Sequence, residues 1–325
     1  MMINHLQRPA NIFSAGYSYL RSHIFRDGMI RGMPVTVSIE ITNHCNLRCP
    51  ECFSGSGRMT RDRGYMDISL FEKICRELKP FLYEMSLYFQ GESMLHPDFQ
   101  SFLRKSEGIR TTLATNGHFL TRENAELLAA SGLNKLIVSL DGLDQDIYSD
   151  YRINGDIRTV LDGISNVSEA IRKNSSDLKL VIQFLVNRMN EHQVPAIRRF
   201  SEEIGASVRF KSMQIIDDDF EKWLPTGKSF RRYEIRDNRY TIMSRLPGNC
   251  ARMWFNPVIT WDGKVIPCCF DKDAEYILGD MNVESFREIW KGERYKSFRK
   301  AILTNRKNTG ICRNCTSGLY REINS

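Results

Sequence analysis

The sequence predicts an α/β protein, a parallel sheet or partial barrel followed by a smaller appended domain, and three observations predict it. Short runs rich in β-branched and aliphatic residues recur at 35–41, 85–89, 111–114, 135–140, 178–186 and 207–213. Helix-like segments separate them, and alternation of strand with crossover helix marks a parallel sheet, whose functional residues gather at the C-terminal strand ends. The chain has 325 residues, more than one average domain, which leaves room for a second unit after the last strand.

The elements follow in order. Residues 1–34 carry Ile12, Phe13, Tyr17, Leu20 and Ile24 at mostly helical spacing, interrupted by Arg21, Arg26 and Arg31. They predict an N-terminal helix packed on the barrel, with a membrane-surface or partner-docking helix as the other reading. Ser69 with Glu72 three residues on has the form of a capping box, and Thr121 opens another helix,. Between 216 and 245 the pattern dissolves around Pro225 and Gly227, as expected of a linker or bridge,. Asp262-Gly263, set between alternating apolar residues, predicts a hairpin over 258–266, and a helical stretch follows over 285–302,. The division expected is therefore 1–34, an N-terminal helical extension; 35–235, the barrel; and 236–325, the appended domain.

Composition narrows the function classes. Apolar residues make up 42% and charged residues 26% of the chain, values that exclude a disordered, collagenous or membrane-bundle protein. The net charge of +7 is spread among interspersed Lys, Arg, Asp and Glu, so nucleic-acid binding is not expected. There is no secretory-signal pattern and no run near the roughly 20 apolar residues that span a bilayer, so a cytoplasmic protein is expected. In that compartment nine cysteines point to metal sites or catalysis rather than disulfides. Three cluster at 45–52, five lie at 250, 268, 269, 312 and 315, and Cys75 stands apart as a small core residue,.

The first cluster reads Cys45-Asn-Leu-Arg-Cys49-Pro-Glu-Cys52 and ends the first predicted strand. Three thiolates on one loop hold three irons of a cubane and leave the fourth open to a ligand, whereas a structural zinc would need a fourth donor, for which His44 is the nearby candidate. This C-x3-C-x2-C motif resembles the signature of the radical S-adenosylmethionine (SAM) superfamily, and further elements resemble that family over most of residues 35–215. The resemblance implies a partial (β/α)6 TIM-like barrel. It also implies a 4Fe-4S cluster on Cys45, Cys49 and Cys52 whose open iron chelates SAM, and reductive cleavage of SAM to a 5′-deoxyadenosyl radical that abstracts hydrogen from substrate. One position departs from the family: the residue before the third cysteine is usually aromatic and touches the adenine, but here it is Glu51, followed after Cys52 by Phe53.

Other strand ends carry matching elements. Gly91-Glu92 resembles the family's motif for the SAM ammonium, with a glycine that permits close backbone approach. Thr115-Asn116-Gly117 is a turn tripeptide that the family also carries. Ser139 resembles the hydroxyl that meets the SAM ribose, and Arg152 the arginine that pairs with the SAM carboxylate. Gly91, Glu92, Asn116, Ser139 and Arg152 are thus the expected cofactor-binding residues, with Gln183 and Asn187 as further candidates on the fifth strand.

The second set, Cys250, then Gly263 and Cys268, then Cys312-x2-Cys315, resembles the SPASM/twitch extension of these enzymes. That implies a small C-terminal α+β iron-sulfur domain with one fully ligated auxiliary 4Fe-4S cluster on Cys250, Cys268, Cys312 and Cys315. Cys269 could replace Cys268, and a zinc on four cysteines is the competing occupant. Enzymes with this cysteine set include alcohol dehydrogenases of aminocyclitol pathways, which implies oxidation or related modification of a small hydroxylated molecule, with the auxiliary cluster as electron acceptor. Maturation of a ribosomal peptide is the alternative. Expected partners are a small-molecule or peptide substrate and a reducing flavodoxin or ferredoxin-type donor. No catalytic base is identified; Arg209, Lys211 and Asp271 are the residues considered for a base or substrate anchor.

Overall fold

The computed structural model describes residues 6–248 and 250–315. Its strands in chain order are β1 (Thr36–Ile39), β2 (Glu84–Ser86), β3 (Arg110–Thr115), β4 (Lys135–Ser139), β5 (Lys179–Val186) and β6 (Ser207–Ser212). Five short strands follow: β7 (Tyr233–Arg236), β8 (Arg239–Ile242), β9 (Val258–Ile259), β10 (Lys264–Ile266) and β11 (Gly279–Asp280). The helices before β4 are α1 (Gln7–Phe25), α2 (Phe53–Ser56), α3 (Ile68–Leu78), α4 (Phe99–Lys105) and α5 (Arg122–Ala130). Those after it are α6 (Gln145–Tyr151), α7 (Ile157–Lys173), α8 (Val194–Glu203), α9 (Phe220–Trp223), α10 (Arg252–Phe255), α11 (Phe286–Lys291) and α12 (Glu293–Asn305). All six strands expected from the sequence are present.

The chain forms two compact units. One comprises, of the described residues, 6–44, 59–111, 246–248 and 250–315. Its strands run in the order β11-β10-β9-β1-β2, with β1 parallel to both β2 and β9 and the β9–β10–β11 meander antiparallel. Val37, Ile39, Met85, Ile259 and Ile266 are buried in its core. Gly263 closes the expected β9–β10 hairpin with φ +84°, in the left-handed region that glycine enters at little cost,.

The other unit comprises Cys45–Arg58 and Thr112–Arg245. Its strands run β3-β4-β5-β6, all parallel, with Ser139 beside Gln183 and Gln183 beside Arg209. Strand β5 alternates buried and partly exposed residues, and α7 covers the sheet region with Val160, Ile164 and Val167, all buried, as an amphipathic helix should.

Four local expectations change. The cap of α3 is Asp67, whose side chain accepts from the Ser69 N–H at 2.7 Å; Ser69 is the second residue of the helix, two positions too far in to cap,. The expected helix over 285–302 is two helices: Ser285 and Glu288 form a capping box that starts α11, and Gly292, extended at φ −67° and ψ 165°, separates it from α12,. Within the supposed linker, β7 and β8 form a hairpin whose turn, Asp237-Asn238, has positive φ at both residues, the two-residue turn that matches strand twist. Helix α1 forms where expected, but it packs through Asn11, Ala15, Ser18 and Ser22 rather than through its large apolar residues.

Candidate functional site

The loop of Cys45, Cys49 and Cys52 is held from several directions within its own unit. Leu47 and Cys49 are buried in an apolar cluster with Tyr151, Met213, Ile215 and Trp223, against which Cys45 and Cys52 also pack. The Arg48 N–H donates to the Ile153 carbonyl at 3.0 Å, and the Cys52 N–H to that of Cys49 at 3.2 Å. Gly55 sits so close beneath the loop that a Cβ there would meet the Cys49 backbone at 2.6 Å. Burial pushes the Cys49 thiol up to about 12, with Arg152 pulling it down and the charges of Cys52 and Cys45 pushing it further up. A buried thiol raised in this way is protonated when alone; it suits a cationic cluster, whose iron takes the place of the proton,.

Asn116 and Arg152 both reach this loop. The Asn116 amide donates to Asn46 Oδ1 at 2.7 Å and stands 4.0 Å from Cys45 Sγ. Its Oδ1 is in turn bonded by the His118 backbone N–H and ring Nδ1, both at 3.1 Å. Arg152 Nη1 lies 3.8 Å from Cys49 Sγ, while its Nε and Nη2 donate to Asp141 Oδ2 at 2.6 and 2.5 Å. The Asp141 side chain is fully buried and its second oxygen accepts from the Leu185 N–H at 2.7 Å. Burial alone would lower the Arg152 pKa; the charges of Asp141 and Cys49 more than reverse it. Asp141 and His118 are therefore supports that the sequence reading did not assign, although Asp141 lies two residues after Ser139.

Glu51 has a structural partner in place of the family's aromatic contact. Its carboxylate accepts from the Ile216 N–H at 2.6 Å and shares a hydrogen bond with Asp217. Burial first, and then that shared bond, raise it to about 7. Asn187 is turned onto its own loop, accepting from the N–H groups of Met189 and Asn190. Arg209 is exposed on β6 and Lys211 is half-buried.

The Gly91-Glu92 motif belongs to the first unit. Gly91 has φ +78°, and a Cβ there would meet Asn43 Cα at 2.6 Å and the His44 carbonyl at 2.7 Å, so only glycine fits. The Glu92 N–H donates to that same carbonyl at 2.7 Å. Its side chain is buried and accepts from the Met94 N–H at 3.1 Å. The motif is thus pressed against the two residues that precede Cys45 in sequence.

The second cysteine set lies wholly in the first unit. Cys250, Cys268, Cys312 and Cys315 are buried and Cys269 is half-buried. Burial and the charges of Cys269, Cys250 and Cys315 raise the Cys268 pKa well above its usual value, against the Phe270 N–H; burial raises that of Cys312 too, against Arg306. Two arginines face the thiols. Buried Arg306 donates through Nη2 to Cys315 Sγ at 3.2 Å and through Nη1 to the Pro247 carbonyl at 3.1 Å. The pKa of Arg252 is raised by Cys269 above all, and also by Cys268, Cys315 and Cys250, against burial. Both arginines were missed, and the available signal was a cation close to a cysteine in sequence. Among the described residues no three His, Cys, Asp or Glu side chains converge on a single ion position. Asp271 is fully buried, raised to about 6 by burial, and holds the Glu275 and Tyr276 N–H groups with its two oxygens, a turn support rather than an open base.

These features agree with the comparisons. The radical SAM superfamily is matched over residues 39–200, and the SPASM iron-sulfur cluster-binding domain over 250–316. The chain is 30% identical over 321 residues to the AdoMet-dependent heme synthase of Methanosarcina barkeri, covering 82% of this chain and 84% of that protein. It is 23% identical over 290 residues to the S-adenosyl-L-methionine-dependent 2-deoxy-scyllo-inosamine dehydrogenase of Niallia circulans, covering 86% and 92%. Among solved structures, Streptococcus suis SuiB bound to precursor peptide SuiA superposes with a TM-score of 0.65 at 17% identity, covering 93% of this chain and 74% of that one. The chain belongs to the radical SAM superfamily and carries a C-terminal SPASM iron-sulfur domain. It is accordingly an enzyme of α/β fold that uses a 4Fe-4S cluster with SAM, and its SPASM region provides for auxiliary iron-sulfur chemistry. No helix among the described residues is long and apolar enough to cross a membrane.

Proposed function

We propose that the chain oxidises, or otherwise modifies by hydrogen abstraction, a small hydroxylated molecule, with one auxiliary 4Fe-4S cluster as electron acceptor. The observation that carries this reading is the second cysteine set: four buried thiols faced by Arg252 and Arg306. Four protein ligands leave a cubane no open iron, and nearby positive charge favours its reduced form. Such a cluster suits electron acceptance rather than substrate chelation.

In this reading Cys45, Cys49 and Cys52 bind the SAM-chelating cluster, and Gly91, Glu92, Asn116, Ser139 and Arg152 hold SAM. When bound, that pair supplies the 5′-deoxyadenosyl radical. The protein's part is to orient the reactants and exclude water. Cys250, Cys268, Cys312 and Cys315 bind the auxiliary cluster, with Cys268 preferred over Cys269 because it is buried with the other three. A flavodoxin or ferredoxin-type protein supplies the reducing electron, and the division at 34 and 235 separates extension, barrel and auxiliary domain. The peptide-maturase alternative is favoured by the likeness to SuiB, which binds a precursor peptide; that likeness carries the fold alone.

Anaerobic reconstitution should give about eight irons and eight sulfides per chain. About four irons plus one zinc would overturn the auxiliary-cluster reading. Reduction with SAM should release 5′-deoxyadenosine, and the triple variant Cys45→Ala/Cys49→Ala/Cys52→Ala should release none. A panel of polyols and amino alcohols deuterated at the carbinol carbon should transfer label into 5′-deoxyadenosine. Label arriving only from deuterated peptides would establish the alternative.

A further inference from the structure

Helix α1 wears its amphipathicity inside out. Its buried stripe is polar or small: Asn11, Ala15, Ser18 and Ser22. Asn11 exchanges hydrogen bonds with the Met33 backbone, donating at 3.1 Å and accepting at 2.7 Å. Ser18 Oγ accepts from the Arg31 N–H at 2.9 Å, and Ser22 Oγ donates to the Met29 carbonyl at 3.1 Å. Gly32 lies so close that a Cβ would meet Ala15 backbone at 2.7 Å. The inward face is therefore specified by hydrogen bonds and close approach, and the helix cannot roll to bury the opposite side without losing them.

That opposite side carries the large apolar residues. Leu6 is 75% exposed, Phe13 79%, Tyr17 52%, Leu20 65% and Ile24 76%. At about 100° per residue these five fall within an arc of about 60°. A continuous apolar stripe of this kind marks an interaction surface, unlike apolar residues scattered singly. Its rim is cationic. Helix α1 contains no Asp or Glu, while Arg26 and Arg31 are exposed just beyond its end and the nearest acid, Asp27, is paired with Arg21. The Arg31 guanidinium lies 5.3 Å from the centre of the Tyr17 ring, so positive charge borders the apolar stripe itself.

Charge selects the occupant. A second copy presenting the same face would bring its own arginines towards these, with no acid in α1 to answer them. An anionic lipid surface offers hydrocarbon to the stripe and phosphate to its rim. We propose that α1 is an in-plane membrane-surface helix, inserting Phe13, Leu20 and Ile24 below the headgroups of an anionic bilayer while Arg26 and Arg31 bind phosphate. The inference is independent of the substrate reading.

The test is flotation of the full-length, cluster-loaded protein with vesicles of pure phosphatidylcholine or of phosphatidylcholine with about one quarter phosphatidylglycerol. Wild type should float with the anionic vesicles only and be released by salt. Phe13→Glu/Leu20→Glu should weaken binding at least about tenfold, and Arg26→Glu/Arg31→Glu should weaken it on anionic vesicles, with 5′-deoxyadenosine formation in solution unchanged in both. Leu20→Trp, a milder change, should shift its emission to shorter wavelength on anionic vesicles alone. Wild type that never floats, or a Phe13→Glu/Leu20→Glu variant that floats like wild type, overturns the proposal. So does a dimer in light scattering that this variant converts to monomer, because the face would then be a self-association surface.

Discussion

The two cysteine neighbourhoods differ in how their positive charge is balanced. Beside Cys49, in the set of Cys45, Cys49 and Cys52, stands Arg152, and it is bound to the buried carboxylate of Asp141. Near Cys250, Cys268, Cys312 and Cys315 stand Arg252 and Arg306, and their strongest electrostatic partners are cysteines of this neighbourhood. A cluster's potential rises with surrounding positive charge. The first arrangement keeps that contribution small, which suits a cluster that must give an electron to SAM. The second adds it twice, which suits a cluster that takes one.

The largest expected effect comes from breaking the compensated pair. Replacing Arg152 by Leu leaves the Asp141 carboxylate buried without its partner, and losses of this kind are about 3–5 kcal/mol. Urea unfolding of the anaerobic protein should show it. The double variant Asp141→Leu/Arg152→Leu should recover most of that stability, since a buried pair is often no better than apolar residues of similar volume. If Arg152 also holds SAM, the double variant should be stable yet fail to form 5′-deoxyadenosine; full activity in it would assign Arg152 to structure alone.

A smaller and more specific effect is expected at the other set. Arg306→Met should lower the midpoint potential of the auxiliary cluster by roughly 100 mV, the Coulomb energy of one charge at about 7 Å and an effective dielectric constant of about 20. Redox titration followed by electron paramagnetic resonance, in a Cys45→Ala/Cys49→Ala/Cys52→Ala background, isolates that cluster. Arg252→Met should act in the same direction. An unchanged potential in both would remove the asymmetry as a cause of the auxiliary cluster's role.

What the sequence disclosed follows the range of the interactions involved. The strands were legible because β-branched runs and intervening helices are local patterns, and the cysteines because ligand spacing on one loop is local too. The Asp262-Gly263 hairpin was legible for the same reason. The Asp237-Asn238 hairpin was missed although Tyr233, Ile235, Tyr240 and Ile242 alternate with polar residues, because each strand is only four residues long and lies in a stretch rich in charge. The partnership of Arg152 with Asp141 joins residues eleven apart, and that of Arg306 with Cys315 depends on a chain reversal; neither has a spacing rule. Helix α1 shows the limit most sharply. Its periodicity gave the helix, but the side that faces inward is set by hydrogen bonds that Asn11 and Ser18 accept from the Met33 and Arg31 N–H groups, which hydropathy does not record.

The smallest effect concerns how the first cysteine loop is steadied. Where the auxiliary thiols are met by arginine, Cys45 and Asn46 are met by Asn116, and Asn116 is fixed by His118. The Asp156 N–H donates to His118 Nε2 at 3.0 Å, so this nitrogen is unprotonated and the Nδ1 proton is the one facing Asn116. Burial, and then the positive charge of Arg152, hold the His118 pKa below the ordinary 6.5. The folded protein therefore binds this proton less readily than the unfolded chain. The neutral ring's contribution to stability is complete above 6.5 and is lost as the pH falls towards the lower folded value. Urea midpoints measured between about pH 5 and 7.5 should fall on the acid side, by less than the Arg152→Leu loss. His118→Gln, which keeps a donor and an acceptor without a titrating ring, should flatten that part of the profile. A profile as steep in His118→Gln as in wild type would place the acid sensitivity elsewhere, and Asn116 would then owe its position to Asn46 rather than to His118.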